Sequence, residues 1–277
     1  MNRPPISVVI ATYNGVEFLQ EQLDSILLEI GPHDEVIVVD DASTDATVAL
    51  AVNLNDPRLR LARHAENRGH VASFEEGLRQ ARGDIIMLAD QDDVWTVGRV
   101  DTMVRALDSA DICVGSLRIL STDPGRNGVL ISVRPAGQSR VNDVVSIVQL
   151  FRGRLPYFGS AMAFTADFRD KALPFPHGTV AHDHWLALLA HTSHRVSRLA
   201  DPVVLRREHG ANLSGRNRSL VTKLRYRIHL AVLLGVAQGR YLTRRRRTVT
   251  EQRALGLRGH LLRRRVQPAK RPGDQIR

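Results

Sequence analysis

Short apolar runs alternate with segments of helical periodicity over the first 120 residues, and this alternation constrains the fold more than any other feature of the sequence. The apolar runs predict strands at Ile6–Ala11, Glu35–Asp40, Leu59–Arg63, Asp84–Ala89 and Asp111–Leu120. Helical spacing predicts helices at residues 19–30, 44–53, 70–81 and 97–109. Strands that alternate with helices form βαβ units, so we expect an α/β fold with a mainly parallel sheet and helices on both of its faces.

The remainder of the chain divides into a continuation of this fold and a basic extension. A stretch rich in Gly, Pro, Ser and Arg at residues 121–140 predicts a surface loop. After it, the pattern predicts a helix, a strand, a helix and a strand at Asp143–Phe151, Gly159–Phe164, Asp183–His191 and Val203–Arg207. A length of 277 residues suits one large domain with an appendage, which we place at residues 1–215 and 216–277.

Charge is distributed very unevenly between these two parts. Residues 216–277, called the basic segment below, contain 18 Lys or Arg and 2 acidic residues, a net charge of +16. The other residues contain 21 Lys or Arg and 27 acidic residues, a net charge of −6. The sequence therefore predicts a mildly acidic body joined to a basic C-terminal segment that has helical spacing.

Several features indicate a cytoplasmic location. The single cysteine, Cys113, has no partner for an internal disulfide, which fits a reducing compartment. Met1–Pro5 contains no apolar signal region. The longest apolar run, Leu230–Val236, is much shorter than the roughly 20 residues needed to cross a bilayer, so we expect no spanning helix.

Acidic residues follow two of the predicted strands. Asp40, Asp41 and Asp45 follow the second strand, and the run Asp90–Asp93 follows the fourth. Because ligands of open parallel sheets bind beyond the carboxyl ends of the strands, we expect these carboxylates to share one edge. Clustered carboxylates suit Mg²⁺ or Mn²⁺, which bind through one or two carboxylates and the phosphates of a substrate. Alternatively, the first set is a turn and helix cap, and the second is a solvated turn.

Four segments together resemble the family 2 glycosyltransferases of the GT-A fold, which is a Rossmann-like α/β fold. They are Ser7–Asn14, Val39–Asp45, Asn67–Gly69 and Ala89–Asp93. The resemblance covers about residues 5–215. The Asp-Gln-Asp-Asp-x-Trp form of Asp90–Trp95 is most similar to bacterial rhamnosyltransferase-type members. The resemblance implies single-step transfer of one sugar, with inversion, from dTDP-rhamnose or a UDP-sugar to a glycan or lipid-linked acceptor in cell-surface polysaccharide synthesis.

The resemblance also implies a role for individual residues. Asp183 would be the catalytic base, although an Asp before an apolar helical run is also a common helix cap. Asp92 and His209 would bind the metal ion. The residues implied in binding the nucleotide are Thr12, Tyr13, Asn14, Asp40, Asp41, Asp45, Arg68, Asp90 and Gln91. The residues implied near the acceptor or the donor sugar are Asp93, Trp95, Gly159, Ser160, His182 and Trp185.

Among these positions, His182 departs from the family's pattern, which usually carries an acid there. The departure puts in doubt any acceptor contact made by that acid. It leaves the implied role of Asp183 unchanged.

The basic segment admits two functional interpretations, beside that of a merely solvated basic helix. Its apolar residues, Leu224, Ile228, Leu230, Val232, Leu233 and Leu234, are interspersed with arginines that include Arg225, Arg227, Arg240 and Arg244–Arg247. This pattern suits a helix on an anionic membrane surface, so we expect a peripheral membrane protein. The alternative is a protein that binds nucleic acid or an anionic membrane through this segment, with a non-catalytic nucleotide-binding body. The segment lacks interleaved aromatic residues, so we expect no nucleic-acid partner.

Two other enzyme classes fit the sequence less well. A sugar-phosphate nucleotidyltransferase should have a Gly-rich, Arg-containing loop after the first strand, where this chain has only Gly15. A processive polysaccharide synthase should carry a Gln-x-x-Arg-Trp segment, which the sequence lacks.

Overall fold

The computed structural model describes residues 3–133, 140–154, 157–193, 195–209, 221–222 and 224–243. Within these ranges the strands are β1 Ile6–Thr12, β2 Glu35–Asp40, β3 Leu59–Arg63, β4 Ile85–Asp90, β5 Val94–Trp95, β6 Ile112–Leu120, β7 Leu130–Ile131, β8 Met162–Thr165 and β9 Val196–Arg207. The helices are α1 Val16–Glu29, α2 Thr47–Asn53, α3 His70–Gln80, α4 Arg99–Leu107, α5 Arg140–Phe151, α6 Ala166–Ala172, α7 His182–Ser193 and α8, residues 224–243.

The strands form one sheet in the order β3-β2-β1-β4-β8-β6-β9-β5, with β7 paired to β6. Its first four strands are parallel, and β6 is parallel to β9. β8 lies antiparallel between β4 and β6, and β5 is antiparallel to β9. The α/β class is therefore confirmed. The strand predicted at Gly159–Phe164 is partly wrong, because Gly159–Ala161 forms a 3-10 turn before β8.

Apolar cores lie on both faces of the parallel strands. Alternate residues of β1 point to opposite faces, so Val9 contributes to one core and Val8 to the other. α3 covers the first face with Phe74, and α1 covers the second with Leu23. Each large apolar side chain that is fully buried contributes about 1.5–3 kcal/mol. This double coverage holds the carboxyl ends of β1, β2 and β4 in fixed positions.

α8 packs against the body. Leu230, Leu233 and Ala237 are completely buried in the same core as Phe74. The expectation that Leu230 and Leu233 face a membrane is therefore wrong, because packing against the body covers them. The predicted boundary between residues 215 and 216 and the arginines at 244–247 lie outside the described residues. Within the described part of the chain, no helix has the length and apolar content that crossing a bilayer requires.

Candidate active site

The carboxyl ends of β1, β2 and β4 lie side by side and form one edge, called the rim below. Thr12 at the end of β1 is in register with Asp40 at the end of β2. On the other side of β1, Ala11 is in register with Asp90 at the end of β4. The predicted convergence of these strand ends is therefore confirmed. Two acidic segments lie there on opposite sides of β1, the β2 loop at residues 40–45 and the acidic loop at residues 90–93.

The loop after β1 forms hydrogen bonds with the acidic loop on one side and with the β2 loop on the other. Gln91 Oε1 accepts a hydrogen bond from Tyr13 N at 2.9 Å, and Gln91 Nε2 donates to Tyr13 O at 3.2 Å. Gly15 makes this close approach possible, because a Cβ atom there would lie 2.2 Å from Gln91 Oε1. On the other side, Asn14 Oδ1 accepts from Thr44 N at 2.8 Å. The Tyr13 side chain remains 46% exposed at the rim.

Asp40 and Asp45 bond within the β2 loop and to its neighbours. Asp40 is completely buried and accepts from Ser43 N at 2.9 Å and from Thr12 Oγ1 at 3.3 Å. Asp45 accepts from Thr47 N at 3.0 Å as α2 begins. These contacts are the turn geometry that the sequence offered as an alternative, whereas the N-cap of α2 is Ala46, which makes no side-chain cap hydrogen bond. The role of both residues in nucleotide binding stays a prediction.

Asp41 joins the β2 loop to the start of α3. Its carboxylate accepts from Arg68 N at 2.8 Å and Gly69 N at 2.7 Å, and it lies 2.8 Å from His64 Nδ1. Burial acts to raise the pKa of Asp41, but these hydrogen bonds outweigh burial and lower it. Beside it opens a recess of about 610 Å³ lined by Arg63, His64, Ala65, Glu66 and Arg68.

The acidic loop has the opposite electrostatics. Burial, followed by the charges of Asp93 and Asp92, raises the pKa of Asp90 well above its ordinary value. Burial and the Asp92 charge raise the pKa of Asp93 to about 7. Arg206, near the end of β9, partly offsets both shifts. The loop therefore concentrates negative charge that the surrounding protein neutralises only in part, and sequence reasoning had given Arg206 no role.

The two predicted metal ligands are neighbours. His209 Nε2 lies 2.8 Å from Asp92 Oδ2, and its ring stacks on Phe18 with the ring centroids 4.8 Å apart. Among the described residues, no group of three or more His, Cys, Asp or Glu side chains is arranged to hold a metal ion. One carboxylate and one imidazole do fit an Mg²⁺ or Mn²⁺ ion whose other ligands are substrate phosphates and water.

Asp183 lies in the first turn of α7, within electrostatic reach of the acidic loop. Its Oδ1 atom accepts from His184 N at 2.7 Å, which is a helix-start contact. The charge of Asp183 also raises the pKa of Asp90, although burial, Asp93 and Asp92 have larger effects. Trp185 is completely buried and donates to a carbonyl of α6 at 3.1 Å, so it anchors α7 in the core.

His182 is a buried imidazole beside Asp183. Neither of its ring nitrogens has a hydrogen-bond partner among the described residues, and its ring centroid lies 4.0 Å from that of Phe74. Burial lowers the pKa of His182 to about 4, so the ring is neutral near pH 7. Its Nε2 atom lies against Gly159, where a Cβ atom would be only 2.3 Å away. The absence of a side chain at Gly159 thus makes room for His182.

Arg99 is a completely buried cation beneath the site. It donates to the carbonyl oxygens of Ser160 at 2.7 Å, Leu88 at 3.1 Å and Val203 at 3.4 Å. Its guanidinium lies 4.0 Å from the ring centroid of Trp95, which is also buried. Burial lowers the pKa of Arg99 to about 9. Through these carbonyl oxygens Arg99 bonds to β4, to β9 and to the turn at Gly159–Ala161. No sequence pattern had indicated a role for Arg99.

The chain matches the family model described as Glycosyl transferase family 2 over residues 7–164. It is 37% identical over 122 residues to Succinoglycan biosynthesis protein ExoO of Rhizobium meliloti, covering 43% of this chain and 35% of that protein. It is 30% identical over 165 residues to Uncharacterized glycosyltransferase YwdF of Bacillus subtilis, covering 60% of this chain and 52% of that protein. The chain thus matches about half or less of the length of each relative.

A solved structure has the same fold. The crystal structure of S. aureus TarS 1-349 in complex with UDP-GlcNAc superposes with a TM-score of 0.64 at 20% sequence identity. The match covers 86% of this chain and 73% of that one. At this level of identity the likeness concerns the fold, and the expected GT-A fold is confirmed.

Proposed function

Because the chain belongs to glycosyl transferase family 2, we propose that it transfers one sugar from a nucleoside-diphosphate sugar to a hydroxyl of a glycan or lipid-linked acceptor. The observation that carries the proposal is the rim itself, where the ends of β1, β2 and β4 bring the β2 loop and the acidic loop to one edge of the sheet. The name of one relative, Succinoglycan biosynthesis protein ExoO, supports a role in bacterial cell-surface polysaccharide synthesis. The nucleotide sugar in the TarS complex supports this class of donor, with dTDP-rhamnose or a UDP-sugar as the candidates.

In this proposal the β1 and β2 loops hold the nucleoside. The half-exposed ring of Tyr13 stacks on the base, and Arg68 lines the recess beside Asp41. A carboxylate has about four acceptor positions, and three protein donors contact Asp41, so it can still accept from a pyrimidine N–H. Asp40 is completely buried, so its contribution is to shape the loop.

The reaction proposed is a single displacement with inversion at the anomeric carbon. Asp183 accepts the proton of the acceptor hydroxyl as that oxygen attacks the sugar. Asp92 and His209 would hold Mg²⁺ or Mn²⁺, which as a Lewis acid neutralises the charge of the departing diphosphate. Asp183 thus acts on the attacking oxygen, while Asp92 and His209 act at the leaving group.

A donor screen tests the proposal. The full chain is incubated with dTDP-rhamnose and a set of UDP-sugars, with Mn²⁺, Mg²⁺ or EDTA, and release of the nucleoside diphosphate is measured. We expect slow hydrolysis of one donor that requires the metal ion. Absence of hydrolysis for every donor, together with no calorimetric binding of UDP or dTDP, would contradict the proposed function.

We also propose that the protein works in the cytoplasm, at the inner face of the cell membrane. The net charge of +16 on the basic segment supports attraction to anionic lipids. A lipid-linked acceptor would be presented at that surface.

A further inference from the structure

α8 has apolar side chains on two opposite sides. Its inward side carries Leu230, Leu233 and Ala237, which are buried in the core. Its outward side carries apolar residues that follow the i, i+4, i+8 spacing of one helix face and are more than half exposed: Leu224 at 59%, Ile228 at 58% and Val232 at 60%. A helix packed on one face normally carries polar residues on the other. Packing within the chain therefore does not account for the outward side.

α5 lies beside α8 and also exposes apolar side chains. Arg227 Nε of α8 donates to the carbonyl oxygen of Phe151, the last residue of α5, at 3.3 Å. The exposed residues on the two helices, called the outer face below, are Val144, Val145, Val148, Leu224, Ile228 and Val232. Apolar side chains exposed on two adjacent helices indicate an interaction surface.

Positive charge accompanies this apolar surface. Arg225 and Arg227 are exposed on α8, and Arg152 and Arg154 are exposed at the end of α5. The sequence contains no Asp or Glu between residues 209 and 250. Apolar residues flanked by arginines suit the boundary between lipid headgroups and acyl chains, where anionic headgroups neutralise the arginines.

The outer face is also connected to the candidate active site. The ring of His184, which follows Asp183, bonds through Nδ1 to the hydroxyl of Tyr226 in α8. We propose that the outer face binds the surface of a bilayer containing anionic lipids and thereby holds the acceptor side of the site, beside Asp183, next to the membrane. The link to an acceptor rests on the proposed function, whereas the binding of lipid does not.

Vesicle flotation of the full chain tests the inference. Vesicles are made of phosphatidylcholine alone or of phosphatidylcholine with phosphatidylglycerol. The test variant carries three substitutions on α8: Leu224→Gln, Ile228→Gln and Val232→Gln. We expect wild type to float with the anionic vesicles, and the test variant to lose at least about tenfold in partition coefficient, because three apolar side chains no longer enter the lipid.

A matched control carries the same kind of substitution at apolar residues exposed elsewhere on the body. These are Leu28, Val52 and Val97, which are 87%, 59% and 98% exposed, each changed to Gln. The control should float like wild type. Circular dichroism checks that all three proteins are folded.

Three outcomes would overturn the inference. In the first, wild type fails to float with anionic vesicles. In the second, the test variant floats as well as wild type, which means that the rest of the basic segment is sufficient for lipid binding. In the third, size-exclusion chromatography shows that the substitutions dissociate an oligomer while flotation is unchanged, so a second copy occupies the face. Calorimetry with UDP and dTDP on the same samples reports separately on the proposed function, since its failure would leave the flotation result intact.

Discussion

The β2 loop and the acidic loop lie at the same rim and are both rich in Asp, yet their carboxylates are in different states. In the β2 loop, burial acts to raise the pKa of Asp41 and Asp45, but hydrogen bonds outweigh it and lower both values. The donors are backbone N–H groups and His64 for Asp41, and the Thr47 hydroxyl and backbone N–H groups for Asp45. In the acidic loop, burial and neighbouring carboxylates raise the pKa of Asp90 and Asp93. Folding supplies the carboxylates of the first loop with hydrogen-bond donors, whereas it leaves excess negative charge in the second.

This difference suggests separate roles for the two loops, since the β2 loop fixes the shape of the rim and the acidic loop attracts a cation. Carboxylates that accept hydrogen bonds from nearby protein donors fix the conformation of a loop and contribute to stability. Carboxylates that repel one another destabilise the free protein, and a cation relieves that repulsion. Substitutions in the β2 loop should therefore change stability and, at Asp41, nucleoside binding, whereas substitutions around the acidic loop should mainly change metal-dependent binding and turnover.

The largest expected effect is on turnover, through Asp183→Asn. Loss of a general base typically costs 10²–10⁴-fold, so we expect transfer or donor hydrolysis to fall by about 10³-fold while UDP or dTDP binding changes less than about threefold. Steady-state kinetics and calorimetry measure the two quantities. Asp101→Asn is the matched control, because Asp101 is also acidic and lies in the first turn of a helix. Undiminished turnover in Asp183→Asn would remove the base assignment.

The pH dependence of stability should reveal the buried imidazole of His182. Its pKa is lowered to about 4 from 6.5, so between these values the unfolded chain binds a proton that the folded chain does not. The free energy of unfolding should therefore fall as pH decreases from 6.5 to 4, by at most about 3 kcal/mol from this residue. In His182→Gln this contribution is absent. Urea denaturation at several pH values measures it, and identical slopes in wild type and variant would contradict the prediction.

Metal-dependent donor binding should weaken when Asp92 or His209 is replaced. We expect Asp92→Asn and His209→Gln each to lower the affinity for UDP in Mn²⁺ by about 10–100-fold and to leave binding in EDTA nearly unchanged. Calorimetry of both variants and of the double variant tests whether they act on one ion. If the two losses add fully, the residues act independently and the shared site is contradicted.

The smallest expected effect is on stability, through Asp41→Asn in the β2 loop. The amide retains the shape of the carboxylate but places an N–H₂ group among donors, so we expect a loss of about 1–2 kcal/mol near pH 7. Because folding lowers the pKa of Asp41 below 3.8, its stabilisation is present above that value and is lost as pH falls through the folded pKa. The difference between wild type and variant should therefore shrink at pH 3. A larger stability loss in Asp92→Asn would reverse the comparison of the two loops.

Sequence periodicity was sufficient for the strands that are buried on both faces. β2 has the predicted bounds, since its uninterrupted apolar run, Val36–Val39, specifies a buried strand. β3 also has the predicted bounds, although it intersperses Leu and Ala with Arg and is only partly buried. β5 and β7 have two residues each and exist only through pairing with β9 and β6, so no local pattern could indicate them. The antiparallel direction of β8 is likewise set by its neighbours in the sheet.

The sequence predicted the parts of the candidate site in which acidic residues directly follow a strand. The proximity of Asp92 and His209 followed from the family resemblance, because their separation along the chain defines no local pattern. The cations Arg99 and Arg206 were missed, because their partners lie on other elements and the sequence is rich in arginine. Trp185 was expected near the substrate, but its indole lies in the core beneath α7.

The contact between Gly159 and His182 links the evolutionary histories of these two positions. Any side chain at position 159 would overlap the imidazole, whose edge occupies that space. Substitution at 159 is therefore tolerated only after residue 182 has become smaller or has moved. Chains that descend from this one should show the two changes in that order, so that the packing beside Asp183 evolves through paired replacements.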